Sequence, residues 1–413
     1  MAAAASASIC ASRKTEWADW NYLTSYGQSL SVGWTAKPVV TEKQEKGGLY
    51  MFRGGVRAYE NGSDRKMLVP LEEGVNGPRG ETPVSGAACR LFRLMQHYSP
   101  VTASRSATGV GGASLGSLGR GTGAYNRILD DLKAAKILAD REGKTLSMPA
   151  FIWTQGETDH QDRKTREWYR EKMEKLIRDI NHDARAVTGQ KNDVVCFGYQ
   201  VGSHLNYYQF NPTDYPAIAL EQLEMALEKD SRYVMTTPMY HFEYSDGVHL
   251  TAPMSRLYGE YVGYVMKKVL LDGADWKPVH PLTHKIRKSG KGWTVEVAFY
   301  APCPPLVLDT KTVDDPGNYG FSLVGAEGED IAIKSVRLVG KNAVQLLTEK
   351  DPGKGRLRYG MTINEHRPSG PRTGARGCLR DSQGDEVKAH IQGKDYRMDN
   401  WCPFFDYSLS KGH

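Results

Sequence analysis

The sequence predicts an α/β domain with a largely parallel sheet over residues 20–273, followed by an all-β domain over residues 283–413. Three observations carry this reading. Short apolar runs alternate with segments of helical period up to about residue 272, that texture ends at Gly273, and β-rich runs between turn residues follow. At 413 residues the chain exceeds one ordinary domain, and 40% apolar with 25% charged residues describes a globular protein able to bury a core.

Taken in order, residues 1–19 read as a flexible leader, because Met1 and the Ala/Ser run after it lack the basic start and continuous apolar stretch of a secretory signal. A first strand is expected to end at Tyr26-Gly-Gln-Ser-Leu-Ser31. Tyr125, Ile128, Leu129, Leu132 and Ala135 recur at helical spacing and stop near Gly143; Tyr169, Met173, Leu176, Ile177 and Ile180 do the same before Gly189. A third helix starts after Pro216. A fourth follows Thr251, with Pro253 in its first turn and Leu257, Tyr258, Tyr261, Val265 and Met266 on one face. The apolar runs 150–153, 194–197 and 233–236 are short enough to be buried parallel strands. Each leads into a polar or glycine-bearing loop, and loops at the carboxyl ends of such strands form the ligand crevice. Residues 274–282 read as a linker, and 293–297, 305–308, 331–333, 336–339 and 344–347 as strands of a β-sandwich.

The formal charge of +6 is small, and the basic residues are interspersed with acidic ones, so nucleic acid is not an expected partner. No run approaches the ~18–20 apolar residues of a membrane span, and a membrane is not expected either. The six cysteines are scattered, with no CxxC pair or metal-ligand spacing. They read as isolated thiols, with a Cys378–Cys402 bridge left open.

Four segments could carry chemistry. In Tyr26-Gly-Gln-Ser-Leu-Ser31, a serine beside glycine in a turn can expose its hydroxyl and lend its backbone N–H to an oxyanion. Thr108-Gly-Val-Gly-Gly-Ala-Ser114 leaves backbone amides open, yet has no phosphate-loop pattern. Trp153-Thr-Gln-Gly-Glu-Thr-Asp159 projects a carboxamide and two acids from a strand end; with only His160 nearby, no metal is expected. In Tyr244-Ser-Asp-Gly-Val-His-Leu-Thr251, Asp246 and His249 stand three apart, so the carboxylate can hold Nδ1–H while Nε2 faces a hydroxyl. Singly, each is more often a turn, a core residue or a solvated loop.

Together and in this order, GQS, GxGG, WxQGExD and DxxH before a terminal helix resemble the four-block signature of SGNH hydrolases. The resemblance covers about residues 20–272 and is closest to the sialate O-acetylesterase and acetylxylan esterase branch. It implies a three-layer α/β/α, flavodoxin-like fold and a serine esterase that removes O-acetyl groups from a carbohydrate without a cofactor. It implies Ser29 as nucleophile, Asp246 and His249 as acid and base, and an oxyanion hole of Ser29, Gly112 and Gln155. Choosing Gly112 over Gly111 is an alignment judgement. Glu157 is expected to orient the first-block loop or Gln155, with a rival role as the acid in place of Asp246. Residue 30 is Leu where much of the branch has Asn, which weakens transfer of substrate contacts and leaves the triad untouched.

The β module resembles those attached to secreted and bacteriophage tail esterases, at residues 374–382 and at Asn400-Trp401. On that basis Arg376, Arg380 and Trp401 are candidate glycan contacts; an ion-pair network involving Arg376, Arg380 and Asp381 is the other reading. The expected partners are an acetylated carbohydrate and, in an oligomer, further copies of the chain. The resemblance also implies extracellular or virion-associated action. The competing functions are a non-catalytic glycan-binding tail module and a generic short-chain carboxylesterase or thioesterase.

Overall fold

A computed structural model describes residues 15, 17–44, 47–60, 64–74, 79–95, 105–361 and 368–409. Most of the expected leader, with Cys10, lies outside the described residues.

Five parallel strands form the central sheet: β1 (Trp20–Gly27), β2 (Arg105–Ala107), β3 (Leu146–Thr154), β4 (Val195–Gln200) and β5 (Tyr233–Pro238). Their spatial order is β2-β1-β3-β4-β5, the doubly wound flavodoxin-like arrangement. The order reverses between β1 and β3, and in open sheets of this kind ligands bind beyond the strand ends at such a switch point. Six helices accompany the sheet: α1 (Pro83–Leu94), α2 (Gly123–Arg141), α3 (Glu157–Gln161), α4 (Arg166–Thr188), α5 (Ala217–Leu227) and α6 (Ala252–Met266).

Side-chain alternation along β3 shows why both faces are covered. Phe151 and Trp153 pack with Tyr125, Ile128, Tyr169 and Met173 of α2 and α4. Ala150 and Ile152 pack with Val84, Ala87, Leu257 and Tyr261 of α1 and α6. Threonines start two of the helices: the Thr122 hydroxyl accepts from Tyr125 N–H at 3.2 Å and the Thr165 hydroxyl from Trp168 N–H at 3.2 Å.

Helix α1, where no element was expected, buries Val84, Ala87, Ala88 and Leu91 on one face. It meets α6 closely, so that a Cβ at Gly259 would lie 2.4 Å from the Pro83 carbonyl oxygen.

Beyond α6 the chain builds two four-stranded antiparallel sheets. One joins Ile333–Val339, Ala343–Thr348, Gly292–Tyr300 and His280–Ser289 in that order; the other joins Asp330–Ile331, Phe321–Val324, Arg356–Tyr359 and Phe405–Ser408. Phe299 of the first sheet meets Phe321 and Phe405 of the second, with ring centroids 6.5 and 5.9 Å apart. Within the segment read as a linker, Trp276 is buried and donates from its indole to the Met235 carbonyl at 3.1 Å, and the first antiparallel strand already starts at His280. The Cys378 and Cys402 thiols remain separate, each facing a different backbone carbonyl, of Val313 and Val279.

The C-terminal segment then folds back onto the parallel sheet. Gln200, at the end of β4, brackets the Phe404 peptide: its amide donates to Phe404 O at 2.9 Å and its oxygen accepts from Phe404 N–H at 2.6 Å. Phe404 stacks on Tyr240 with centroids 5.2 Å apart.

Candidate active site

The site starts at the end of β1. Gly27 has φ +136°, and a Cβ there would fall 2.1 Å from the Thr154 carbonyl oxygen, so only glycine lets β1 and β3 end side by side. The chain then turns through a single 3₁₀ turn, Ser29–Val32, which closes at Gly33. Ser29 is thereby held near the carboxyl ends of the strands with its hydroxyl toward the last loop.

That loop, residues 244–251, is a tight hairpin. Tyr244 and Leu250 form an antiparallel bridge, and Ser245 N–H donates to His249 O at 2.7 Å. One carboxylate oxygen of Asp246 accepts from His249 N–H at 2.7 Å and Val248 N–H at 3.0 Å, while the other stands 2.7 Å from His249 Nδ1. His249 Nε2 lies 2.7 Å from Ser29 Oγ. With Nδ1–H donating to Asp246, Nε2 is left as the acceptor facing the serine hydroxyl. Burial works to raise the Asp246 carboxyl, but the hydrogen bonds from the His249 side chain and from the His249 and Val248 amides outweigh it and hold it below the ordinary carboxylate value. The structure therefore brings together Ser29, His249 and Asp246 from segments about 220 residues apart.

The glycine segment follows β2 and is tied to β1 by Thr108 N–H to Ser25 O at 2.9 Å and Val110 N–H to Gly27 O at 3.0 Å. Gly111 is the residue that approaches the serine, with its Cβ position 4.0 Å from Ser29 Cβ; Gly112, at φ +67°, meets nothing within 4 Å on that side. Both are exposed.

The third segment is tied into the interior. Gln155 is fully buried, and its Nε2 donates to Asp159 Oδ2 at 2.7 Å and to Ala113 O at 3.4 Å. Both amide hydrogens thus have acceptors inside the protein. The cause is Asp159, a buried carboxylate that also accepts from Leu115 N–H at 3.1 Å and so locks the second segment to the third. Burial lifts the Asp159 carboxyl to about 6, against the hydrogen bonds from Gln155 and Leu115.

Glu157, for its part, touches neither Gln155 nor the first loop. It accepts from Tyr199 Oη at 2.7 Å and Ser203 Oγ at 3.3 Å, and burial lifts its carboxyl to about 7. The orienting contact comes instead from Gln28, whose side-chain oxygen accepts from the N–H groups of Gly156 and Thr158, both at 3.4 Å. The hydrogen bond from His249 Nδ1 goes to Asp246, which leaves Glu157 outside the role of triad acid.

The candidate glycan contacts in the β region are also corrected. Arg380 is buried and ion-paired with Asp309 at 2.7 Å and Asp399 at 3.3 Å. Trp401 is buried and stacked on His241, centroids 5.3 Å apart. Arg376 is half-buried and donates to the carbonyls of Asp314 and Gly374, at 2.8 and 2.9 Å. Arg380 and Trp401 are spoken for by packing, which a sequence pattern of arginines and tryptophan cannot distinguish from a binding surface.

Two features escaped the sequence reading. Trp34, five residues past Ser29, is 45% exposed and its ring lies 6.4 Å from the His249 ring. From the β region, Pro368 packs on Gly247, and Asn206 donates to both the Gly247 carbonyl and Ser369 Oγ. A tryptophan five residues past the candidate serine and directly after Gly33 was a readable signal for the first; nothing local marks the second.

Residues 102–267 match the family model of carbohydrate esterases described as sialic acid-specific acetylesterases. The chain is similar to these carbohydrate esterases and is an ester-hydrolysing enzyme. The match takes in the glycine segment, Gln155, Asp246 and His249, and begins after Ser29. Among solved structures, a carbohydrate acetylesterase from Xanthomonas citri shares the fold at TM-score 0.51 and 15% identity, covering 87% of this chain and 77% of its own. A protein from Arabidopsis thaliana is similar at TM-score 0.44 and 16% identity, over 59% of this chain and 96% of its own. The Sinorhizobium meliloti carbohydrate acetylesterase Est24 is similar at TM-score 0.33 and 15% identity, over 60% and 99% respectively. No curated protein matches the chain by sequence.

Proposed function

We propose that this esterase removes O-acetyl groups from a carbohydrate through an acetyl-enzyme formed on Ser29. The observation that carries the reading is the line from Ser29 Oγ through His249 to Asp246, with both hydrogen bonds at 2.7 Å. In the first step Ser29 Oγ attacks the ester carbonyl carbon and its proton passes to His249 Nε2. The tetrahedral adduct then expels the sugar oxygen, which takes that proton and leaves as the alcohol. Water repeats the sequence on the acetyl-enzyme: it gives a proton to His249, and acetate departs as Ser29 Oγ is reprotonated.

Asp246 keeps Nδ1 protonated throughout and stabilises the transient imidazolium. The donors for the oxyanion are backbone N–H groups, of Ser29 and of the Gly111–Gly112 turn, since the Gln155 amide is held by Asp159. Gln155 and Asp159 act through that turn, by fixing Ala113 and Leu115. No step calls for a metal or organic cofactor. The carbohydrate-esterase match supports an acetylated sugar as substrate.

The test is acetate release from p-nitrophenyl acetate and from acetylated xylan by wild type and by Ser29→Ala, with circular dichroism of both. Turnover by wild type and at least ~10³-fold less by a folded variant is expected. Equal rates for the two would remove Ser29 as nucleophile.

A further inference from the structure

We propose that Trp34 is the platform on which the sugar ring of the acetylated substrate rests, with the C–H face of a pyranose against the indole. The inference builds on the carbohydrate-esterase reading above and adds the residue that selects for a ring. Four observations converge on it.

Trp34 belongs to the same turn as the nucleophile, with its N–H donating to Ser29 O at 3.1 Å, so the two move as a unit. Its ring lies 6.4 Å from the imidazole of His249, which places a group resting on it within one sugar's width of the reacting carbonyl. It stays 45% exposed even though the Arg79 guanidinium lies over the ring at 5.3 Å. Its indole thus presents an open apolar face beside the catalytic pair.

The fourth observation is the backbone that holds it out. Gly33 has φ +71°, and a Cβ there would fall 2.4 Å from the Gly80 carbonyl oxygen. Thr35, on the other side, sits at φ +59°, a left-handed conformation uncommon for a β-branched residue. Its hydroxyl lies 2.8 Å from Ser245 Oγ, and Ser245 Oγ donates to His249 O at 3.0 Å. The tryptophan loop and the histidine loop are therefore latched to each other, and the strain falls on the residue next to Trp34.

The cation over the platform is paired: Arg79 Nε meets Glu60 at 3.0 Å, and Glu60 also faces Arg57 at 3.4 Å.

The experiment compares wild type with Trp34→Ala and Trp34→Phe on two acetyl esters: methyl tri-O-acetyl-β-D-xylopyranoside, and triacetin, which has no ring. The ratio of kcat/KM for the pyranoside to that for triacetin is expected to fall about tenfold in Trp34→Ala, mainly through KM, and to recover largely in Trp34→Phe. An equal loss on both esters would assign Trp34 to holding His249, and no change on either would leave it a surface residue; both results overturn the proposal. Calorimetric binding of the pyranoside to Ser29→Ala, with and without Trp34→Ala, decides the same point without turnover. If the esterase reading fails because Ser29→Ala remains active, the binding comparison still stands: equal affinity with and without the indole refutes the platform.

Discussion

Replacing Asp246 by Asn tests the central arrangement at a single atom. Asp246 Oδ1 accepts the two backbone N–H groups of Val248 and His249, at 3.0 and 2.7 Å, and the carboxamide oxygen of Asn can keep both. The loop should therefore hold its shape. The other position changes from acceptor to an NH₂ donor facing His249 Nδ1 at 2.7 Å, and a donor facing a donor is resolved by moving the ring proton to Nε2. Nε2–H then points at Ser29 Oγ and cannot accept its proton. In the serine-protease template this exchange lowers kcat about 10⁴-fold. Here the Asp246 side chain is 44% exposed, so water supplies part of the stabilisation of the imidazolium, and we expect about 10³-fold, roughly 4 kcal/mol. The assay is initial-rate hydrolysis of p-nitrophenyl acetate, with near-UV circular dichroism to establish that the variant is folded. A folded variant that loses less than about tenfold would refute the reasoning, and with it the assignment of Asp246 as the partner of His249.

Three further outcomes are expected. Gly27→Ala places a Cβ 2.1 Å from the Thr154 carbonyl in a φ +136° conformation, so urea unfolding should show a loss of about 4 kcal/mol or more; a wild-type midpoint would mean that the strand ends can separate cheaply. Glu157 has its carboxyl raised by burial from 4.5 to about 7, so its contribution to stability is complete below 4.5 and is lost as pH rises through 7. That loss is on the order of 3 kcal/mol. In Glu157→Gln, the decline in unfolding free energy between pH 5 and 8 should be shallower by that order, the other carboxyls raised by burial, Asp159, Glu81, Glu73, Asp131 and Asp381, contributing to what remains; an unchanged slope contradicts the burial argument. Trp401→Ala should cost about 3–5 kcal/mol of stability, because the ring is buried against His241. Were Trp401 a glycan contact, binding would fall while the unfolding curve stayed in place.

How much of this was legible in advance differs between the two halves of the chain. In the α/β half the apolar periods located α2, α4 and α6, because burial of one face leaves a 3.6-residue mark, and Pro216 marked the start of α5. Helix α1 carries such a mark too, at Val84, Ala87, Ala88 and Leu91, and was not among the expected elements. The strand runs at 150–153, 194–197 and 233–236 coincide with parts of β3, β4 and β5 to within one residue, because two covered faces favour apolar residues at successive positions. In the β half, alternation along Gly292–Tyr300 and Ala343–Thr348 marked strands, although which sheets they join is a matter of long-range pairing.

The site divides in the same way. Sequence alone determined which side chains could do the chemistry: Ser29 beside its glycine, and Asp246 and His249 three apart, where a short hairpin makes their contact a local event. Tertiary structure decided what those segments face. Whether Gln155 points outward depends on Asp159, whether Glu157 steadies the loop depends on Tyr199, and both answers lie in which buried acceptor captures which donor. Arg380 and Trp401 looked like a binding surface because arginine and tryptophan serve equally well in ion pairs, interior stacks and glycan sites. Trp34 was the reverse case, a large apolar residue that no expectation singled out and that the turn after Ser29 holds in the open. Composition and spacing set the available chemistry; burial and the direction of each side chain, which only the folded chain defines, set how it is used.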